Sequence, residues 1–260
     1  MPTELRRLLI VAAAAVLVAG APASAAQGDA VKRGAALYGQ YCVACHGMNG
    51  EGVLQPKPIG AARGRDQDQQ NALGPSLRGV GPLAADFYLR TGYMPLPRVG
   101  VQPRRSRVFL HERSIQALIA YVASLGPGPP VPTPHPEHGD ISLGQRLFTD
   151  RCAGCHQVAA EGGYVTGAIP PPLDEATVRQ IAEAVRIGPN VMPRFSKKSL
   201  PPHELDSIIA YVQYAKHPDD RGGWSLGHLG PVPEGLVTWF VAAAVLIFTC
   251  MTIGRRLRRE

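Results

Sequence analysis

Two short stretches of this 260-residue chain bring together residues able to do chemistry: Cys42-Val-Ala-Cys45-His46 and Cys152-Ala-Gly-Cys155-His156. Cys-x-x-Cys-His is the attachment pattern of c-type haem. Two thiols at this spacing reach the two vinyl groups of one porphyrin as thioethers, and the adjacent imidazole comes to lie under the iron as proximal ligand. A thioredoxin-like redox pair or half a zinc site would also use paired cysteines. Neither accounts for a histidine after the second cysteine in both stretches. Two covalently bound haem c groups are therefore expected, on Cys42 and Cys45 and on Cys152 and Cys155, with His46 and His156 on the irons.

The ligand on the far side of each iron decides its use. A thioether opposite His gives an electron-transfer site of raised potential, whereas an open position invites oxygen, peroxide or nitric oxide. Of five methionines, Met1 lies in the N-terminal signal and Met251 in the C-terminal apolar run, and Met48 stands two residues after His46, on the wrong side of the ring to reach over it. Met94 and Met192 remain, one for each motif. Between motif and methionine lie Pro75 and Pro171, whose carbonyls are placed to accept the proximal imidazole N–H and fix its orientation. In the second copy Pro170, Pro171 and Pro172 are consecutive, which leaves the accepting carbonyl open there.

These residues recur in order because the chain between its ends is a duplication. Gly34-Ala-Ala-Leu37-Tyr38 and the first motif align without gaps with Gly144-Gln-Arg-Leu147-Phe148 and the second. Leu89-Arg90-Thr91-Gly92 then matches Val185-Arg186-Ile187-Gly188, Met94-Pro95 matches Met192-Pro193, and Ile119-Ala120-Tyr121-Val122 matches Ile209-Ala210-Tyr211-Val212. Apolar residues at three- and four-residue spacing predict helices over 30–41, over 115–125 with Ser114 as cap, over 174–187 and over 204–214. No segment sustains period-two alternation. The fold class is all-α, with domains at 26–126 and 138–217 joined by the Pro-rich linker 127–137, which should be extended and semi-rigid.

The ends read as membrane traffic. Arg6 and Arg7, the apolar run after them and Ala23-Ser24-Ala25 make residues 1–25 an export signal, with an uncleaved anchor as the alternative. Residues 235–254 are uncharged, about 30 Å as a helix and so the thickness of a bilayer core. The basic tail 255–260 follows at once, as expected of a cytoplasmic flank. A juxtamembrane segment, 218–234, precedes that helix. Both domains should then lie outside the cytoplasm of a plasma-membrane protein with one C-terminal span. Of the net charge of +7, residues 26–136 carry +6 and residues 137–218 carry −1. This is no nucleic-acid footprint; Arg104-Arg105-Ser106-Arg107 reads as a solvated loop.

Taken with Gly74-Pro75-Ser76-Leu77 and the terminal helix of each repeat, the haem motifs and methionines resemble class I cytochrome c. Two such domains, followed by Gly222-Gly223-Trp224-Ser225-Leu226-Gly227, Gly230-Pro231-Val232-Pro233-Glu234-Gly235 and one C-terminal helix, are similar to the dihaem cytochrome c subunit of the actinobacterial cytochrome bc complex. That resemblance implies a subunit of a quinol:cytochrome c oxidoreductase, partnered by a cytochrome b subunit, a Rieske iron-sulfur protein and a terminal oxidase, and carrying electrons from the Rieske protein to the oxidase. No catalytic acid or base is expected in the chain itself. The motifs alone also fit a membrane-anchored dihaem carrier for another dehydrogenase or oxidase, and an open iron would make a dihaem peroxidase or gas sensor.

Overall fold

The computed structural model describes residues 21–54, 72–97, 101–218 and 231–258. The export signal, up to residue 20, and most of the juxtamembrane segment lie outside those residues. The first domain runs α1 (Ala21–Tyr41), α2 (Val43–His46), β1 (Val53–Leu54), β2 (Ala72–Gly74), α3 (Gly81–Arg90) and α4 (Glu112–Ser124). A 3-10 turn, Pro136–His138, leads into α5 (Ile141–Arg151), α6 (Ala153–His156), α7 (Val178–Ile187) and α8 (Pro202–Lys216), and α9 (Pro231–Leu257) ends the described chain. The architecture is all-α apart from a two-stranded antiparallel ladder, Val53 opposite Gly74, and an isolated bridge between Val165 and Ala168.

In each domain the helix entering the Cys-x-x-Cys-His motif crosses the domain's last helix at a glycine. A Cβ on Gly34 would overlap the Ala117 carbonyl, and one on Gly144 the Ser207 carbonyl, so only glycine lets the backbones approach this closely. Beside each crossing an aromatic pair closes the core. Tyr38 and Tyr121 have ring centroids 5.0 Å apart, and their repeat partners Phe148 and Tyr211 are 5.4 Å apart. Tyr38 and Phe148 are each 1% exposed, so the duplication seen in the sequence is a duplication of core packing.

Several boundaries differ from expectation. Helix α4 starts at Glu112, with His111 at its N-cap and Ser114 inside its first turn. Helix α7 starts at Val178 because Thr177 forms a capping box with Gln180, which leaves residues 174–176 outside it. The unpredicted helix α3 is the repeat partner of α7. Each is followed by a left-handed glycine, Gly92 at φ 65° and Gly188 at φ 66°, where the chain must turn toward its methionine. Helix α9 runs past the apolar stretch to Leu257 and carries Arg255 and Arg256 in its last turn. Its segment Gly235–Leu257 is long and apolar enough to cross a membrane, with mean hydropathy 2.3 and no part buried in the protein.

The linker is not a free tether. The Pro129 carbonyl accepts from the Leu83 N–H at 3.2 Å, and the His135 N–H donates to Asp206 at 2.8 Å, so the linker is bonded to both domains. The domains also meet directly. Gln102 exchanges two hydrogen bonds with the Ile169 backbone, at 2.8 and 2.9 Å. Arg105 is not part of a solvated loop: it donates to Gln180 at 2.9 Å and lies 3.6 Å from Glu175. Gln180 in turn donates to the Arg90 carbonyl at 3.3 Å.

Candidate haem sites

Each motif is a single tight turn hung on the end of a long helix. In the first domain the Cys42 N–H bonds the Tyr38 carbonyl at 2.9 Å, and the Cys45 and His46 N–H groups return to the Cys42 carbonyl at 3.1 and 2.9 Å. The second repeats this through Cys152 on Phe148 at 2.8 Å and Cys155 and His156 on Cys152 at 3.1 and 2.9 Å. None of the four cysteines is in a disulfide. Burial pushes the Cys42 and Cys152 thiols up to about 11. That is the reverse of the depressed thiolate a redox-active pair requires.

The imidazoles are the most informative groups. His46 and His156 are each 9% exposed. His46 Nδ1 lies 2.7 Å from the Pro75 carbonyl and His156 Nδ1 3.1 Å from the Pro171 carbonyl. A carbonyl can only accept, so Nδ1 carries a hydrogen in both rings, the tautomer whose neutral form presents its lone pair at Nε2. Burial lowers the His156 pKa, which keeps that ring neutral as a metal ligand must be. Of the three consecutive prolines in the second copy, the structure brings Pro171 to the imidazole. Gly74 precedes the acceptor in the first copy, where a Cβ would press on the Cys45 carbonyl at 2.5 Å.

The loops after α3 and α7 carry the two methionines. The Met94 N–H bonds the Tyr88 carbonyl at 3.1 Å, beside the edge-on rings of Phe87 and Tyr93 at 5.5 Å. The Met192 N–H bonds the Pro189 carbonyl at 3.0 Å, and its side chain packs on the second core. Arg186 ties that loop down by donating to the Phe195 and Leu200 carbonyls at 3.1 and 2.9 Å. Both methionines are half-buried, whereas Met48 is 71% exposed. Paired cysteines, a neutral imidazole with Nε2 available and a methionine loop in each domain fit a covalently held haem c. Sequence reasoning did not reach the carbonyl clamps of Arg186, which have no signal in motif spacing.

One further histidine cluster, His135, Glu137 and His138 in the linker, is exposed. The 2.9 Å pair of His135 with Glu137 accounts for it.

Comparison with known proteins agrees with this geometry. Residues 31–126 match the cytochrome c family, and residues 139–212 match the family described as cytochrome C oxidase, cbb3-type, subunit III. The chain is similar to proteins named cytochrome bc1 complex cytochrome c subunit. It is 34% identical over 244 residues to that of Corynebacterium diphtheriae, covering 87% of this chain and 81% of the relative. It is 36% identical to that of Corynebacterium efficiens, covering 87% and 77%, and 34% identical to that of Mycobacterium tuberculosis H37Rv, covering 87% and 78%.

Proposed function

Because the chain belongs to the cytochrome bc1 complex cytochrome c subunit family, we propose that it is the subunit through which a quinol-oxidising respiratory complex passes electrons from its Rieske iron-sulfur protein to a terminal oxidase. Cys42 and Cys45 hold one haem c, and Cys152 and Cys155 a second. His46 and Met94 bind the first iron, His156 and Met192 the second. Each group, when bound, supplies one-electron exchange between ferrous and ferric iron. The observation that carries the reading is the imidazole clamp built twice, His46 on Pro75 and His156 on Pro171.

The chain's own residues do three things in this scheme. Pro75 and Pro171 hold each ring in one orientation with Nδ1 protonated, which raises the basicity of Nε2 toward iron. The loops carrying Met94 and Met192 close the opposite side, so neither site is left open to oxygen or peroxide. Helix α9 spans the plasma membrane with Arg255 and Arg256 in the cytoplasm and both domains outside it. The domains at 26–126 and 138–217 carry charges of +6, counted to residue 136, and −1, counted from residue 137 to 218, and so offer different docking faces to an electron donor and an acceptor. Gentle solubilisation of the native membrane and identification of the co-purifying subunits tests the assignment. Recovery with a cytochrome b, a Rieske protein and a terminal oxidase is expected; recovery with a different dehydrogenase and none of these would refute it.

A further inference from the structure

Where α3 of the first domain packs on α7 of the second, two carboxyl groups face each other in the interior. Glu183 is 0% exposed and Asp86 3% exposed. Glu183 lies within hydrogen-bonding reach of Asp86, yet Asp86 Oδ2 and both Glu183 oxygens have no N–H or O–H donor among the described residues. Buried carboxylates left without donors are strongly disfavoured, and two facing each other more so.

The neighbouring cations do not resolve the conflict. Arg90 donates from Nε to Asp86 Oδ1 at 2.8 Å, and its Nη1 and Nη2 are both spent on Glu112 at 2.7 Å. Arg179, on Glu183's own helix, acts on it only through space. Helix α8 packs on the other side of α7 and presents the buried apolar Leu205, Ile208 and Ile209. A single proton between the two carboxyl groups satisfies the pair.

We propose that the two haem-binding domains are clasped by a single proton shared between Glu183 and Asp86, taken up when the domains dock and released when they part. The protonated Glu183 oxygen donates to Asp86 Oδ2, while Asp86 Oδ1 accepts from Arg90 Nε. Two of the three orphaned oxygens are then paired. The hydrogen bonds of Gln180 to Arg90 and of Arg105 to Gln180 flank the clasp and fix its register. A cleft between the domains, lined by Arg90, Glu112, Arg179 and Gln180, borders the clasp on its Arg90 side.

The sign follows from linkage. Burial, then Asp86, raises the docked Glu183 from the ordinary 4.5 to about 9. Docking therefore binds one proton. It is strongest below about pH 4.5 and weakens about tenfold per pH unit as pH climbs toward 9, levelling beyond.

The test uses the full-length haem-loaded chain in detergent micelles. Spin labels go on the exposed positions Arg113→Cys and Lys198→Cys, with Cys250→Ser in the background, and pulsed electron resonance reads the interdomain distance from pH 5 to 10. One short distance is expected at low pH, with a longer population growing on the alkaline side of neutrality. Glu183→Gln, whose carboxamide N–H donates to Asp86 without titrating, should hold the short distance at every pH. Asp86→Asn removes the neighbouring charge and should narrow the pH-dependent window. A distance that ignores pH in the unsubstituted carboxyl pair, or a response that neither substitution changes, would overturn the clasp.

Discussion

Single side chains decide what each iron site can do and how the first domain tolerates its buried charge. Met192 is the one methionine on the second site's loop, so Met192→Ala should open that site alone. The prediction is loss of about half the low-spin His/Met signal and rapid carbon monoxide binding to one reduced haem of two, read by absorbance; an unchanged spectrum would remove Met192 from the iron. Arg90 joins Asp86, whose side chain is 4% exposed, to Glu112, which is 61% exposed. Arg90→Ala strands the buried carboxylate and should cost on the order of 3 kcal/mol in denaturant unfolding. A second loss belongs to acid. The Arg90 hydrogen bond holds Glu112 down at about 2, below its ordinary 4.5. Its contribution is therefore present above pH 4.5 and fades as pH falls toward 2. Glu112 is exposed, so Glu112→Gln should flatten that acid limb by less than about 1 kcal/mol.

At the scale of elements, the helix crossings at Gly34 and Gly144 carry each domain. Gly144→Ala forces α5 off α8 by overlap with the Ser207 carbonyl and should cost about 1–3 kcal/mol. The unfolding midpoint of the second domain should fall while the first domain's haem spectrum stays unchanged; an unaltered midpoint would mean that the crossing relaxes freely. How far these elements could be read from the sequence depends on how local their determinants are. The two Cys-x-x-Cys-His turns, the crossing helices and the apolar α9 announce themselves by spacing within a dozen or so residues. Helix α3 was missed because Gly81 and Pro82 open it, although its repeat partner α7 carried the signal. The start of α7 at Val178 turns on the capping box between Thr177 and Gln180, three residues ahead. Glu183 was illegible for a deeper reason: a charged residue on an amphipathic helix reads as solvent-facing, and only the docking of another domain on α7 buries it. Arg105 was misread in the same way, since Gln180 and Glu175 are 75 and 70 residues further along the chain.

For the molecule as a whole, two copies of one small haem-binding domain dock through α3 and α7 and are followed by a helix able to cross a membrane. The linker reinforces the arrangement by bonding to Leu83 on one side and Asp206 on the other. A chain built this way suits electron carriage between a donor and an acceptor. The most direct measurement is rapid-mixing absorbance of the purified native complex after addition of reduced quinol, with the c-type haem signal followed in time. The account predicts quinol-driven reduction of both haems on this chain, abolished when the Rieske iron-sulfur protein is removed. Both haems remaining oxidised while cytochrome b is reduced through an intact Rieske protein, or being reduced at an unchanged rate without that protein, would contradict it.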